Sequence, residues 1–478
     1  MPELQISEQL HALPILNHKI YKKKNKGFSR RHFLNTVATA TAVTAVSGPF
    51  KSFGSGLQIH NASHGKLAVL GGLPVRQAGP IGPPWPYVDD KVVDAVVKTT
   101  KSRVWSRIQS RNGTVPTFEG AFAELIGTKY CVGTGSGTQA LSTCVYALGI
   151  GPGDEVITSP YTDMGTISSI LTSGALPVLV DLDPDSYQLD PAEVEKRINK
   201  NTKAIMPVHI FGVACDMERI MAIAKKHNLK VIEDACQAPL ARYQGKGLGT
   251  MGDVGCFSFQ ASKPIACGEG GAVVGNDQKL MDECYTVQNR GASRSGSNET
   301  VGPKYRMEEF EGAILMGQFP GIKERFEIRN SNANYLRSEL KDFNPLKPQK
   351  HYPGTESGAY YHFSMTYNQK EWGVERSKFL KAVAAEGVSL NSYIPYQLHH
   401  EPWVDHILGL KSYKTMYSPA RLKEYKAGMD LPNCDRIIKE TMVSFAGSGP
   451  LLAGRDEMKN IIDAIMKVYE NRNKLKAV

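Results

Sequence analysis

The chain has 478 residues, of which 41% are hydrophobic and 22% charged, with 45 glycines and 27 prolines. These are ordinary globular proportions, so a mainly disordered, collagen-like or fibrous chain is excluded. The formal net charge is +10, but residues 1–56 hold eight lysines and arginines against two glutamates. Because most of the positive charge lies in this leader, the charge does not indicate a nucleic-acid partner.

The leader has the order of a signal peptide. A basic run at 22–24 and the motif Ser-Arg-Arg-His-Phe-Leu at 29–34 precede a mildly apolar, Ala- and Thr-rich stretch at 36–46. This order is typical of an export signal, and the paired arginines resemble the twin-arginine type. We therefore expect the twin-arginine export machinery to recognise the leader, leaving the protein periplasmic or tethered to the outer face of the membrane. A basic, partly helical N-terminal arm is the alternative.

Eight cysteines are scattered beyond the leader, and none of them forms a Cys-x-x-Cys pair. A secreted disulfide framework is denser and belongs to shorter chains. Most of these cysteines lie in apolar stretches, where the side chain behaves as a small buried hydrophobe. We expect core thiols, with neither metal ligation nor structural disulfides.

From about residue 128 onward, short apolar segments alternate with helical ones. The strands are predicted to begin near residues 129, 156, 176, 203 and 230. The helices are predicted at 139–148, near 164–173, after the cap Asp190, and from the cap Asp216 to about 227. Apolar strands separated by helices indicate a mostly parallel sheet covered by helices on both faces.

After about residue 275 the pattern changes to long helical segments at 308–340, an alternating stretch at 360–367, and amphipathic helices at 377–386 and 455–473. This change indicates a smaller α+β domain after the α/β domain. The predicted segments are a leader at 1–56, an N-terminal segment at 57–117 that packs on the large domain, a large α/β domain at 118–320, a connecting helix at 321–344, and a small C-terminal α+β domain at 345–478.

The first candidate site motif is Gly133-Thr-Gly-Ser-Gly-Thr138, between a predicted strand and a helix start. Small residues let an anion approach the free N–H groups of a helix N-terminus, and Ser136 and Thr138 add hydroxyls. A glycine-rich turn that binds no phosphate is an equal alternative. A dinucleotide fingerprint is not favoured, because the third glycine of Gly-x-Gly-x-x-Gly is missing.

The second motif, Glu233-Asp-Ala-Cys-Gln237, ends a very apolar strand. A buried carboxylate such as Asp234 needs a partner, since burying it unpaired is costly. A protonated heterocycle nitrogen is such a partner, and a capping or turn aspartate is the alternative interpretation.

The third motif is the apolar stretch 254–263, which ends at Lys263 and is followed by Gly268-Glu-Gly-Gly271. We expect Lys263 to be surrounded by Cys256, Phe257 and Phe259. Poor solvation there favours the neutral amine that forms Schiff bases. A surface lysine with its amine in solvent is the alternative.

A phosphate cradle, a strand-end aspartate and a Schiff-base lysine together are what pyridoxal 5'-phosphate (PLP) requires. On these motifs the chain resembles the DegT/StrS family of sugar aminotransferases, fold type I PLP enzymes, from about residue 66 to the C-terminus. The resemblance implies a homodimer with active sites shared across the interface. It also implies amino transfer from glutamate or glutamine to a keto-sugar or keto-cyclitol. We predict no metal site.

The resemblance assigns roles to individual residues. Lys263 and Asp234 match the catalytic positions, where the lysine holds PLP and the aspartate pairs with the pyridine nitrogen. The cofactor-binding positions are matched by Gly137, Thr138, Asp234, Gln237, Ser258, Lys263 and Lys304. Residues 305–310 resemble the family's Tyr-Arg-Met-x-Glu-Phe helix opening, with Arg306 and Glu309 in the fixed places, and residues 396–399 resemble its Pro-Leu-His segment. Substrate contacts are accordingly expected at Asp163, Arg306 and His399.

Two positions depart from the family pattern. The family places an aromatic residue that stacks on the cofactor ring directly after the Thr of its Pro-x-x-Thr loop, where this chain has Asp163. The other position usually holds an Asn that binds the partner subunit's phosphate, and here it is Lys304, which can still bind phosphate as a point charge. Two alternatives stay open, and the first of them requires that Asp163 takes a catalytic part. One is a different PLP reaction, such as epimerisation or elimination, and the other is a non-catalytic exported sugar-binding protein on a relic PLP fold.

Overall fold

Residues 65–477, the part of the chain that the computed structural model describes, contain three sheets: a central seven-stranded sheet and two three-stranded sheets. The predicted leader lies outside these residues. The strands are β1 (Tyr130–Thr134), β2 (Glu155–Thr158), β3 (Leu176–Leu179), β4 (Thr202–Met206), β5 (Lys230–Asp234), β6 (Arg242–Tyr243), β7 (Lys246–Gly247), β8 (Val254–Ser258), β9 (Gly271–Gly275), β10 (Leu346–Pro348), β11 (Thr355–Ser357), β12 (His362–Tyr367) and β13 (Met442–Ala446). One three-stranded sheet consists of β10, β12 and β13, and the other consists of β11, β6 and β7.

The central sheet has seven strands in the order β1-β9-β8-β5-β4-β2-β3. The neighbours from β8 to β3 are parallel, whereas β9 pairs antiparallel with both β1 and β8. Six strands therefore run in one direction, which confirms the predicted mostly parallel sheet. Their carboxyl ends meet at one edge, and ligands bind beyond such an edge in open α/β sheets.

Sixteen α-helices lie in the described residues. They are α1 (Asp90–Ser102), α2 (Thr114–Ile126), α3 (Gly137–Ala147), α4 (Met164–Leu171), α5 (Pro191–Arg197), α6 (Met217–His227), α7 (Gln278–Gln288), α8 (Glu309–Gln318), α9 (Ile322–Glu339), α10 (Gln369–Trp372), α11 (Arg376–Ala385), α12 (Trp403–Gly409), α13 (Lys411–Met416), α14 (Pro419–Ala427), α15 (Pro432–Arg436) and α16 (Arg455–Glu470). The predicted caps are observed: Asp190 accepts a hydrogen bond from the N–H of Ala192, and Asp216 accepts one from the N–H of Arg219.

The central sheet is buried on both faces. In β5, Val231 packs in one hydrophobic core and its neighbour Ile232 packs in another. In β8, Cys256 and Phe257 are divided between the same two cores. Successive strand side chains point to opposite faces, so a strand buried on both faces must be apolar throughout.

The small sheet, β10-β12-β13, is antiparallel and forms a third core with α11 and α16. The chain between its last two strands also covers the free edge of the central sheet. The hydroxyls of Tyr413 and Tyr425 donate hydrogen bonds to the carbonyls of Ala175 and Pro177, next to and within β3. An edge strand covered in this way cannot pair with another chain. The predicted division at residue 345 stays a prediction.

All eight cysteines are buried with free thiols, in agreement with the predicted core role. Between residues 65 and 477, no helix combines the length and the apolar character that crossing a membrane requires.

Candidate active site

A cavity of about 450 Å³ opens at the carboxyl edge of the parallel strands. Its lining comes from residues at or just beyond the carboxyl ends of β1, β2, β4, β5 and β8, and from two tyrosines on the small-sheet side, Tyr361 and Tyr393. Seven of the predicted site residues line it: Gly137, Thr138, Asp163, Asp234, Gln237, Ser258 and Lys263. Lys304, Arg306 and His399 are not among the lining residues.

The glycine-rich turn forms a cradle at the start of α3. Ser136 caps this helix by accepting a hydrogen bond from the N–H of Gln139 at 3.2 Å. The N–H groups of Gly137 and Thr138 have no acceptor among residues 65–477. A Cβ on Gly137 would lie 2.7 Å from Cβ of Ser258, so glycine is needed for this close approach. Free N–H groups beside hydroxyls at a helix N-terminus can bind a phosphate.

Asp234 ends β5 and is 4% exposed. Its Oδ2 accepts a hydrogen bond from the hydroxyl of Thr166 at 2.7 Å, and its Oδ1 accepts one from the N–H of Cys236 at 3.1 Å. Both bonds fix the orientation of the carboxylate at the cavity wall. Thr166 lies on α4, and the sequence analysis did not identify it, because nothing in the local pattern marks a hydroxyl on an apolar helix as a partner of Asp234.

Gln237 is oriented by two partners. Its Oε1 accepts a hydrogen bond from the N–H of Phe211 at 2.7 Å, and its Nε2 donates one to the hydroxyl of Tyr393 at 3.1 Å. The amide is thus fixed at the cavity wall beside Asp234. Burial raises the pKa of the Tyr393 hydroxyl well above its usual value, so Tyr393 stays neutral.

Lys263 is buried, but its surroundings differ from the prediction. Phe257 and Phe259 pack edge-to-face against Phe122 in the hydrophobic core and do not line the cavity. Instead, Nζ of Lys263 lies 4.1 Å from the ring centroid of Tyr361. No carboxylate among residues 65–477 lies within ion-pair distance of this amine. The expectation of a poorly solvated amine holds, while the predicted neighbours were wrong.

Asp163 lies at the cavity wall as the N-cap of α4. Its Oδ1 accepts a hydrogen bond from the N–H of Gly165 at 2.8 Å. The nearby ring of Tyr161 is fully buried against Tyr187 and Phe211 and does not face the cavity. The loop after β2 therefore supplies a carboxylate where the resemblance implies an aromatic ring.

Lys304 and Arg306 lie beside the end of β1. Lys304 is exposed and forms a β-bridge with Asn289, whose side-chain oxygen accepts a hydrogen bond from Arg306 at 3.3 Å. Arg306 also bridges Thr134, the last residue of β1. The roles of Lys304 and Arg306 toward a partner's phosphate and a substrate stay predictions.

The family's fixed glutamate has a structural explanation. The Oε2 of Glu309 accepts hydrogen bonds from the N–H groups of Thr114 and Val115, at the start of α2. The carboxylate therefore caps α2 and holds it against the start of α8.

His399 is buried away from the cavity lining, and its Nε2 lies 2.8 Å from Oδ1 of Asp435. The same carboxylate accepts a hydrogen bond from Gln397 and lies 3.5 Å from Nε2 of His400 and 3.4 Å from Nζ of Lys439. Burial, above all, lowers the pKa of His399. The predicted substrate contact of His399 stays a prediction.

These residues fit PLP. A strand-end carboxylate held by two donors suits a protonated ring nitrogen, an unpaired amine suits the aldehyde, and the cradle beside Ser258 has the free N–H groups that a phosphate needs. The sequence analysis missed Tyr361 and Tyr393 in this arrangement, because they come from chain segments about 100 or more residues beyond Lys263. The alternation at 360–367 identifies a strand, but it does not show which cavity the strand borders.

Comparison with known proteins supports the same conclusion. Residues 86–442 match the DegT/DnrJ/EryC1/StrS aminotransferase family. The chain is 33% identical over 434 residues to an L-glutamine:2-deoxy-scyllo-inosose aminotransferase from Micromonospora echinospora, covering 86% of this chain and 99% of the relative. It is 36% identical over 289 residues to a UDP-N-acetyl-3-dehydro-α-D-glucosamine 3-aminotransferase from Acidithiobacillus ferrooxidans, covering 60% and 76%.

A solved aminotransferase from Psychrobacter cryohalolentis superposes with a TM-score of 0.73 at 28% identity, covering 82% of this chain and 100% of that one. The matched region contains the whole cavity, including Lys263, Asp234 and the glycine-rich cradle. The chain belongs to the DegT/DnrJ/EryC1/StrS aminotransferase family and is a PLP-dependent aminotransferase.

Proposed function

We propose that the protein transfers an amino group from glutamine or glutamate to a keto-sugar or keto-cyclitol. The observation that carries this proposal is the convergence of Lys263, Asp234 and the Gly137–Ser258 cradle on one cavity. Each of the three is weak evidence alone, whereas together they match the amine, ring-nitrogen and phosphate requirements of PLP. The relatives described above are named as aminotransferases for a cyclitol and for a UDP-linked sugar, which supports the keto-sugar or keto-cyclitol class.

When bound, PLP supplies an electron-accepting ring that stabilises the negative charge left on a substrate carbon after a proton is removed. The chain's own residues perform the remaining tasks. Asp234, held by Thr166 and the Cys236 N–H, keeps the ring nitrogen protonated. Lys263 would hold the cofactor through its amine, and the same amine, once free, would move a proton to and from the substrate carbon.

The start of α3 binds the phosphate. The N–H groups of Gly137 and Thr138 are available as donors, and the Ser258 side chain lies against Gly137. The position of the phosphate at a helix N-terminus lets the helix dipole contribute to affinity. Burial of Ser258, which is 9% exposed, reduces competition from water.

For the acceptor, we propose a sugar or cyclitol without a nucleotide. Among the described residues that line the cavity, Asp163, Asp234 and Glu269 are acids and Lys263 is the sole cation, so a diphosphate finds little positive charge beside the PLP site. The export expected for the leader also favours a free or polymer-linked acceptor.

We also propose that two copies form a homodimer. Val93 and Val97 lie one turn apart on α1 and are 49% and 42% exposed, and Trp105 and Ile108, just after this helix, are 50% and 60% exposed. An apolar group of this kind is typical of a protein–protein interface. Changing Val97 to Glu should convert the dimer to monomer in sedimentation analysis, whereas the same change at the exposed Val88 should not.

We propose that the leader exports the folded protein by the twin-arginine route. The paired arginines at 30 and 31 before Phe-Leu support this proposal. Replacing both arginines by lysine should leave the protein in the cytoplasmic fraction of a host with the twin-arginine machinery. Unchanged export of that double variant would contradict the proposal.

The experiment that tests the transferase proposal is isotope transfer. Glutamine or glutamate labelled with 15N at the α-amine is incubated with PLP-loaded protein and one of three acceptors: 2-deoxy-scyllo-inosose, UDP-N-acetyl-3-dehydro-glucosamine or a free keto-sugar. We expect label in the amine of the cyclitol or free-sugar product, and none with Lys263→Ala. Product that forms without label from any donor would contradict transfer and favour epimerisation or elimination.

A further inference from the structure

The amine of Lys263 is stabilised by an aromatic ring instead of a carboxylate. Its Nζ lies 4.1 Å from the centroid of the Tyr361 ring. Among residues 65–477 no acidic group forms an ion pair with it. An ammonium group over a tyrosine face is attracted by the ring's quadrupole, and this attraction is strongest where water is excluded. Lys263 and Tyr361 are 9% and 7% exposed.

The ring of Tyr361 is fixed before any cofactor or substrate binds. Its hydroxyl lies 2.8 Å from the hydroxyl of Ser262, and its backbone carbonyl accepts a hydrogen bond from the N–H of Gly447 at 2.8 Å. Tyr393 packs edge-to-face against it, with ring centroids 5.8 Å apart. The small sheet therefore presents a preorganised π face to the cavity.

The backbone on either side of the Lys263 side chain is fixed as well. The indole N–H of Trp85 donates a hydrogen bond to the carbonyl of Lys263 at 3.1 Å, and Arg329 donates one to the carbonyl of Pro264 at 3.3 Å. The N–H of Lys263 donates to the carbonyl of Gln260 at 2.8 Å. Only the side chain of Lys263 is left to move between the cofactor and the ring.

Among the described residues, none of the charged groups that face this amine takes the place of the Tyr361 ring as its partner. The titratable groups on the elements packed around it are Asp163, Asp234, Cys236, Glu269, Arg329, Tyr361, His362 and Tyr393. The carboxylates of Asp163 and Asp234 accept hydrogen bonds from other groups. Burial, with a smaller effect of the Lys263 charge, lowers the pKa of His362 to about 3, so His362 adds no charge. Arg329 donates hydrogen bonds to the backbone carbonyls of Ser448 and Pro264.

We propose that Tyr361 is a positioning residue that holds the free, protonated amine of Lys263 over its ring while the lysine is detached from the cofactor. The proton that the amine takes up from the substrate carbon is the one it later returns, so no further reactant is needed. The ring stabilises the ammonium more than the neutral amine, and it keeps the amine close to the reacting atoms. The kinetic part of this inference rests on the proposed function, whereas the interaction between ring and amine does not.

The test uses the apoenzyme. An amine-selective acylating reagent labels Lys263 at a series of pH values, and mass spectrometry of the Lys263 peptide gives the pH midpoint of labelling. Loss of the ring in Tyr361→Leu should move this midpoint down by roughly half a pH unit, the size expected for a partly buried cation–π contact. Tyr361→Phe keeps the ring and removes only the hydroxyl, with its contacts to Ser262 and Tyr393, so the labelling midpoint of Lys263 should stay as in wild type.

A matched control is Tyr352→Leu. Tyr352 is 7% exposed and has the amine of Lys350 5.0 Å from its ring, but it does not line the cavity. Its loss should leave the Lys263 midpoint unchanged. If Tyr361→Leu does not fold, trifluorinated phenylalanine at position 361 keeps the shape and weakens the ring's negative face, and it should move the midpoint in the same direction.

An unchanged midpoint in Tyr361→Leu, or an equal shift in Tyr361→Phe, would overturn the proposal. In the PLP-loaded enzyme, single-turnover proton transfer should slow about 3- to 10-fold in Tyr361→Leu, with little change in PLP affinity. If PLP does not attach to Lys263 in wild type, the proposed function fails, but the apoenzyme result still decides whether the ring holds the amine.

Discussion

Replacing Gly137 by Ala tests the phosphate cradle at its tightest point. The added Cβ would lie 2.7 Å from Cβ of Ser258 and 3.0 Å from Sγ of Cys236. Carbon atoms normally approach to about 3.5–4.0 Å, so the start of α3 or the end of β8 has to move by about 1 Å. Overpacking of this kind lowers the free energy of unfolding by roughly 1–3 kcal/mol.

The same displacement moves the N–H groups of Gly137 and Thr138 away from the phosphate. A hydrogen bond to a charged group contributes about 1.5–3 kcal/mol, so the loss of one raises the Kd for PLP roughly 10- to 100-fold. Thermal denaturation of the apoenzyme measures the first effect, and titration with PLP monitored by absorbance measures the second.

The matched control for this prediction is Gly120→Ala. Gly120 is exposed on α2, and a Cβ there meets no atom within 4 Å. Alanine is the better helix former, so this change should raise the free energy of unfolding by about 0.5–1 kcal/mol and leave PLP affinity unchanged. Gly137→Ala with wild-type PLP affinity would refute the assignment of the cradle.

Three further changes test other parts of the account. Thr166→Val removes a 2.7 Å hydrogen bond to the charged Asp234 and should lower kcat/KM roughly 10- to 100-fold in steady-state assays, less than Asp234→Ala. The Arg421 guanidinium contacts both carboxylate oxygens of Glu155 at 2.6 and 2.7 Å, and Glu155 is 0% exposed. Arg421→Ala leaves this carboxylate without the guanidinium and should lower the free energy of unfolding by about 3–5 kcal/mol in urea titrations. Adding Glu155→Ala should restore part of the lost stability. Burial, assisted by a nearby arginine, lowers the pKa of His351 from 6.5 to about 3. As the pH drops below 6.5 the unfolded chain therefore takes up the proton first, and the free energy of unfolding should fall by up to about 1.4 kcal/mol per pH unit. His351→Phe should flatten this pH dependence.

Much of the large sheet could be predicted from local pattern. Strands buried on both faces are apolar throughout, and the caps Asp190 and Asp216 mark helix starts. The chemistry-bearing residues Asp234 and Lys263 follow strands whose carboxyl ends share one edge, so their convergence follows from the topology. The fold class and the cofactor class could therefore be predicted from the sequence.

The surroundings of Lys263 could not be predicted from the sequence, for two physical reasons. Phe257 and Phe259 are two residues apart on or just after β8, so they share a face, and that face packs into the core with Phe122. Ser258, on the opposite face, meets the start of α3. The ring that actually contacts the lysine, Tyr361, comes just before β12 of a separate sheet, and its position depends on how the small sheet packs against the central sheet.

The role of Asp163 could be predicted from the sequence only in part. The sequence has a carboxylate where the resemblance implies an aromatic ring, and the structure shows that this carboxylate caps α4. Capping explains why an aspartate is tolerated at that position. It does not supply a replacement for the ring, and Tyr161, the nearest aromatic side chain in sequence, is fully buried elsewhere.

The covalent state of Lys263 tests the central claim most directly. The protein is incubated with PLP, reduced with borohydride and digested, and the peptides are analysed by mass spectrometry beside Lys263→Ala. The account predicts a phosphopyridoxyl group on the peptide containing Lys263, and no modified peptide from the variant. Attachment at another lysine, or modification of the variant to the same extent as wild type, would contradict it.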